Sequence, residues 1–279
     1  MIKPIFYLFI AALLCSCKNK IIVYNDPVPK YHSLKIDSKF VNEERVINVY
    51  LPSTYNELAE SFPVLYMPDG GIKEDFPHIA NTISKLIENN KIPPIILVGI
   101  ENTERGRDLS GFSETENDEQ YCPLTDGAKN FRRFISEELM PEINQRYKTQ
   151  NQKGIIGESL AGLFVMETFF TEPETFDFYI AMDPSMWWND HYLVKHANSL
   201  LEEFPNKEIK LWFAGSSAED ISKYTNRVNE ILQTNTLERL KYKYSDEPKE
   251  EHNSIFRATK AKALIWTLNK TKKEVRADK

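Results

Sequence analysis

The stretch that most restricts how this chain can fold is Gly154-Ile155-Ile156-Gly157-Glu158-Ser159-Leu160-Ala161-Gly162-Leu163-Phe164. A short apolar run ends at Gly157, a serine follows two residues later, and a helix-like apolar pattern begins at once. Small residues at 157 and 161 are what a tight strand-to-helix turn needs, because the two backbones nearly touch there. Such a turn holds the serine hydroxyl clear of the sheet, at the N-terminus of the helix. An ordinary turn capped by a serine has the same look, so the neighbouring elements must decide between the two readings.

Those elements are legible. Residues 31–52 alternate apolar and polar and predict two antiparallel strands closing at Pro52. The runs at 63–68 and 94–100 are apolar throughout, as expected of strands buried on both faces. Between them Ile79, Ile83, Leu86 and Ile87 recur at helical spacing. Residues 101–126 form a long polar segment leaving the C-terminal end of a central strand, the side on which open α/β sheets bind ligands. Phe131, Phe134, Ile135, Leu139 and Ile143 predict a helix kinked at Pro141. Strands at 178–182, 209–214 and 238–245 alternate with helices at 190–203, 221–233 and 254–269. Alternating strands and helices after two leading strands predict an α/β fold, a mostly parallel central sheet with helices on both faces. The number and order of elements match an α/β-hydrolase fold.

The first residues stand apart. Lys3 precedes an apolar run from Ile5 to Leu14, too short to span a membrane comfortably. It ends in Leu14-Cys15-Ser16-Cys17, the pattern of a bacterial lipoprotein signal. The expected organisation is a signal peptide at 1–16, a lipidated Cys17 with a tether to residue 30, and one domain from 31 to 279. That places the protein in the bacterial cell envelope, on the periplasmic face or the cell surface, with the membrane as a partner through its lipid. Without the signal only Cys122 remains as a thiol, so no disulfide framework supports the fold. The net charge of −6 and the absence of a Lys/Arg stripe argue against a nucleic-acid partner.

A serine hydroxyl is a weak nucleophile near neutral pH and needs a base, an acid to orient that base, and donors for the oxyanion it generates. In this fold the chain order is Ser, then Asp or Glu, then His. Of five histidines, His32, His78, His191 and His196 precede the elbow or follow it too soon. His252 lies after the last predicted strand and just before the final helix, which selects it as the base. The acid is expected in the loop after strand 209–214, where Gly215-Ser216-Ser217-Ala218-Glu219-Asp220 offers Asp220, with Glu219 as the alternative. The oxyanion donors are expected to be the backbone amides of Leu160 and Gly71. No H-E-x-x-H motif and no phosphate-binding glycine loop is present, so neither a metal nor a cofactor is expected.

With these residues in place, the chain resembles the putative-esterase branch of the α/β-hydrolase superfamily, which includes siderophore, feruloyl and acetylxylan esterases. The resemblance runs from about residue 31 to 270. It is carried by residues 63–71, by Val98-Gly99-Ile100-Glu101-Asn102 with Arg105 and Arg107-Asp108-Leu109, and by residues 131–139. The elbow, Asp183-Pro184-Ser185-Met186-Trp187-Trp188 and His252-Asn253-Ser254 complete it. It implies a serine esterase acting on a small-molecule ester, either a siderophore ester or a feruloyl or acetyl ester of a carbohydrate; with the signal before Cys17, the expectation is a lipid-anchored esterase. It further implies that Arg105 and Arg107 grip an acidic substrate group, or else order their own loop. Trp187 and Trp188 are expected to wall a pocket or to pack in the core. The elbow departs from the family's usual G-H-S-x-G-G in having Glu158 and Ala161. A carboxylate beside the nucleophile would shift the pH optimum or disfavour anionic acyl groups. The rival from another class is a non-catalytic ligand-binding lipoprotein on the same fold.

Overall fold

A computed structural model describes residues 25–269. Cys17 and the signal segment lie outside them. Eight strands form one sheet: β1 (His32–Ser38), β2 (Glu43–Tyr50), β3 (Phe62–Met67), β4 (Ile96–Ile100), β5 (Thr149–Glu158), β6 (Phe178–Met182), β7 (Ile209–Gly215) and β8 (Leu240–Asp246). Their order is β1-β2-β4-β3-β5-β6-β7-β8. β1 and β2 pair antiparallel, as does β2 with β4, and every remaining pair is parallel.

Side-chain alternation along the strands divides the core. Leu65, Met67, Leu97, Ile156, Ile180 and Trp212 face α1 (Phe76–Glu88) and α8 (Ile255–Leu268). Val64, Tyr66, Val98, Ile155, Tyr179 and Phe213 face the other layer. That layer contains α3 (Gly127–Arg133), α4 (Met140–Arg146), α5 (Leu160–Thr171), α6 (Trp188–Glu202) and α7 (Glu219–Thr234), and the short α2 (Arg105–Leu109) precedes them in the long segment. α5 is apolar on nearly every face, as a helix packed between the sheet and its neighbours must be.

The expected elements are present with adjusted ends. The kink expected at Pro141 takes another form: α3 runs into a π-helical stretch, Phe134–Leu139, and then directly into α4. Proline removes one amide donor, and the wider turn preceding it accommodates that loss. The segment 101–126 contains α2 and a 3-10 turn, Glu116–Gln120, and is held both by Leu109 and Cys122, which join the core, and by ion pairs. Arg45, fully buried in β2, donates to Asp108, Glu43 and Thr103, and Arg107 donates to Glu43 and Asp108.

Candidate active site

β5 delivers Ser159 to the C-terminal edge of the sheet, and α5 starts at the next residue. Ser159 has φ 58° and ψ −118°, a left-handed conformation that a non-glycine residue adopts only under strong local constraint. The constraint is visible. Ser159 N–H donates to the Met182 carbonyl at 3.0 Å, and the Ser159 carbonyl accepts from Leu163 at 2.9 Å and from Ser185 at 3.1 Å. Gly157 allows the turn, since a Cβ there would lie 2.5 Å from the Ala161 carbonyl oxygen.

His252 Nε2 lies 3.0 Å from Ser159 Oγ, and His252 Nδ1 lies 2.7 Å from Asp183 Oδ2. The tautomer with its proton on Nδ1 satisfies both bonds, donating to Asp183 and accepting from the serine hydroxyl. Asp183 is fully buried, with φ 46°, at the residue after β6. Its other bonds fix it firmly: Ser216 donates from its backbone N–H at 2.5 Å and from its hydroxyl at 2.6 Å. The loop carrying His252 is tied down as well, by Glu247 N–H to the Gly215 carbonyl and Ser217 N–H to the Glu250 carbonyl, each at 2.9 Å. The Asp183 carboxylate holds the His252 imidazole above its usual pKa despite burial, and Glu158 and Asp220 add to that rise through space.

The acid partner of His252 is therefore Asp183, which replaces both Asp220 and Glu219. The reason lies in strand order. β6 is the direct neighbour of β5, so the residue just after β6 arrives beside Ser159. Asp220 and Glu219 instead occupy the first turn of α7, exposed to solvent, where acids suit the helix dipole. The signal that would have found Asp183 is an acid immediately following a fully buried strand, Phe178-Tyr179-Ile180-Ala181-Met182, in a segment already marked by the family resemblance.

Leu160 opens α5, so its N–H has no acceptor within the helix. The Gly71 amide is engaged: it donates to Glu74 Oε2 at 2.7 Å, while Asn102 N–H lies 3.3 Å from Glu74 Oε1. The expectation of a free oxyanion donor at Gly71 thus meets an amide that already holds a carboxylate. Burial, with Asp69 and Glu101 nearby, raises the pKa of Glu74.

Arg105 forks onto Asp69, Nε to Oδ1 at 2.6 Å and Nη2 to Oδ2 at 2.8 Å, and keeps 39% of its side chain exposed. Asp69, just past the end of β3, and Arg105 both act on the charge of Glu158 through space. Arg107 is held by Glu43 and Asp108, contacts that tie its segment to β2. Trp188 is a core residue, its indole N–H donating to the Gly111 carbonyl at 3.0 Å. Trp187 is half-buried and meets Tyr121 of the long segment edge-on at 4.9 Å. Among the described residues no group of His, Cys, Asp and Glu is arranged to hold a metal ion.

The family model described as putative esterase matches residues 38–269. The ferri-bacillibactin esterase BesA of Bacillus subtilis (strain 168) is 28% identical over 252 residues, 82% of this chain and 86% of its own length. An IroE-like serine hydrolase from Shewanella oneidensis superposes with a TM-score of 0.77 at 24% identity, covering 86% of this chain and 80% of that one. The siderophore hydrolase EstA from Aspergillus nidulans gives 0.70 at 19% identity, covering 88% of this chain and 98% of its own. These two structural likenesses speak to the fold.

Proposed function

The chain belongs to the putative-esterase family and is a carboxylic ester hydrolase, and from that premise we propose that Ser159, His252 and Asp183 carry its chemistry. The observation that bears this reading is the continuous relay from Ser159 Oγ through His252 to Asp183, with bonds of 3.0 and 2.7 Å at a strained elbow. Ser159 Oγ attacks the ester carbonyl carbon while Nε2 takes its proton, and Asp183 stabilises the imidazolium that results. The developing oxyanion meets the Leu160 amide, joined by that of Gly71 once the substrate displaces the Glu74 carboxylate. The intermediate collapses, the alkoxide leaves with the proton from Nε2, and an acyl-Ser159 remains. Water, deprotonated by the same nitrogen, then releases the acid.

The substrate we propose is a siderophore ester. Support comes from BesA, a ferri-bacillibactin esterase matched over most of both chains, and from the fold shared with EstA, a siderophore hydrolase. We propose in addition that Cys17 carries a lipid that holds the domain at a membrane of the cell envelope. The signal-like segment before Cys17 supports this, and release of a Cys17→Ser protein from the membrane fraction is the expected result.

Hydrolysis of p-nitrophenyl acetate by wild type and Ser159→Ala tests the chemistry, and equal rates would overturn it. Ferric-siderophore, feruloyl and acetyl-sugar esters compared side by side test the substrate. Turnover led by either of the last two would refute the siderophore assignment while leaving the triad intact.

A further inference from the structure

Glu158 immediately precedes the nucleophile, and the ester-cleaving steps do not use it. Its Oε1 is 3.9 Å from His252 Nε2, the same nitrogen that faces Ser159 Oγ at 3.0 Å. The carboxyl group is therefore no farther from the reacting oxygen than those two distances laid end to end. Its side chain is 18% exposed, and among the described residues no donor hydrogen-bonds to it. The nearby cation does not neutralise it, because the Arg105 fork is already closed on Asp69.

The groups that face Glu158 come from four elements: His252 from the loop before α8, Asp75 at the start of α1, Asp69 after β3 and Arg105 on α2. Burial is the largest influence and pushes the carboxyl up to about 8, with Asp75 and Asp69 working in the same direction against His252 and Arg105. Asp220 extends the negative potential on the His252 side. The wall beside the nucleophile is thus acidic, poorly hydrated and short of free cations.

We propose that Glu158 is a specificity-determining residue: it admits esters that are neutral or cationic beside the scissile carbonyl and rejects those carrying an anion there. This rests on the esterase reading above. A substrate carboxylate brought to Ser159 Oγ would lie within a few ångströms of the Glu158 carboxyl, where screening by water is weak and like charges repel strongly. A neutral ester of the same chain length meets no such cost. Because Glu158 gains its charge as pH rises, the discrimination strengthens in alkali.

The test uses two substrates matched in chain length, the mono-p-nitrophenyl ester of adipic acid and its methyl p-nitrophenyl diester, with Ser159→Ala rates subtracted as background. The ratio of kcat/KM, neutral over anionic, is measured at pH 6.5 and pH 9. In wild type the ratio is expected to rise on the order of tenfold between these pH values, the factor that a modest Coulombic term supplies. In Glu158→Gln it is expected to stay flat and below the wild-type value at pH 9. A flat ratio in wild type, or an equal rise in both proteins, overturns the proposal. The wild-type arm stands even if the variant fails to fold. Loss of Ser159-dependent turnover of the neutral ester would instead bring down the esterase reading itself.

Discussion

What His252 touches decides the chemistry of Ser159. A carboxylate on Nδ1 fixes the tautomer that leaves Nε2 free to accept the Ser159 proton, and Asp183 is the group placed to do it. Asp183→Asn should lower kcat for a neutral p-nitrophenyl ester by about four orders of magnitude, since an amide no longer enforces that tautomer. Asp220→Asn should change it less than tenfold. The reverse ranking would return the acid to α7. A pH profile checks the same bond independently. Asp183 holds the imidazole above its ordinary pKa, and activity needs it neutral, so the acid limb of kcat/KM should fall above pH 6.5 and move lower in Asp183→Asn. A limb that ignores the substitution would mean that another group limits the rate.

Ser159 and His252 were readable from sequence because the elbow has a local spacing and the histidine a position late in the chain. Asp183 was not, because Ser-then-acid-then-His fixes order without saying which strand bears the acid. Three-dimensional adjacency decides that: β6 lies against β5, while Asp220 is carried off by the first turn of α7. Glu74 on the Gly71 amide was equally invisible, being a contact across a turn with no sequence signature.

Between residue and molecule, the segment 101–126 shows how a mostly polar stretch can be ordered with few apolar anchors, Leu109 and Cys122 among them. Periodicity, which marked the strands and longer helices, has nothing to report there. Much of its order comes from Arg45, buried in β2 and paired with Asp108 of α2, beside the burial of Leu109. Removing one partner of a buried ion pair leaves an uncompensated charge and costs about 3–5 kcal/mol. Asp108→Ala should destabilise the fold by that order in denaturant titration. Arg107→Ala, whose side chain is a third exposed and shared between Glu43 and Asp108, should alter stability far less and leave KM for a neutral ester within twofold of wild type. A large KM increase in Arg107→Ala would restore it as a substrate residue. The elbow is the opposite case, short and strained, and its glycine at 157 was legible because only a missing Cβ allows the backbone contact with Ala161.

For the whole molecule, the functional groups collect at the C-terminal edge of the parallel strands, from β5, β6 and the loop after β8, where this architecture places ligands. Collecting carboxyl groups there has a cost to stability. Glu158 is pushed up to about 8 in the fold against an ordinary value near 4.5. An acid whose folded pKa is raised favours the folded state at low pH, and that contribution is lost as pH climbs through about 8. Glu158→Gln should therefore match wild type in thermal stability near pH 4 and exceed it at pH 9, by an amount reduced by the nearby His252. Parallel melting curves at every pH would show that the carboxyl group is not under strain in the fold.

If Ser159, activated by His252, is the covalent nucleophile, it must react with an electrophile that mimics an ester. Reaction with a neutral fluorophosphonate followed by intact-mass and peptide analysis tests it most directly. One adduct is expected, on the peptide bearing Ser159, absent in Ser159→Ala and strongly slowed in His252→Ala and Asp183→Asn. Labelling that persists in Ser159→Ala, or wild-type protein that takes no label at all, would contradict it.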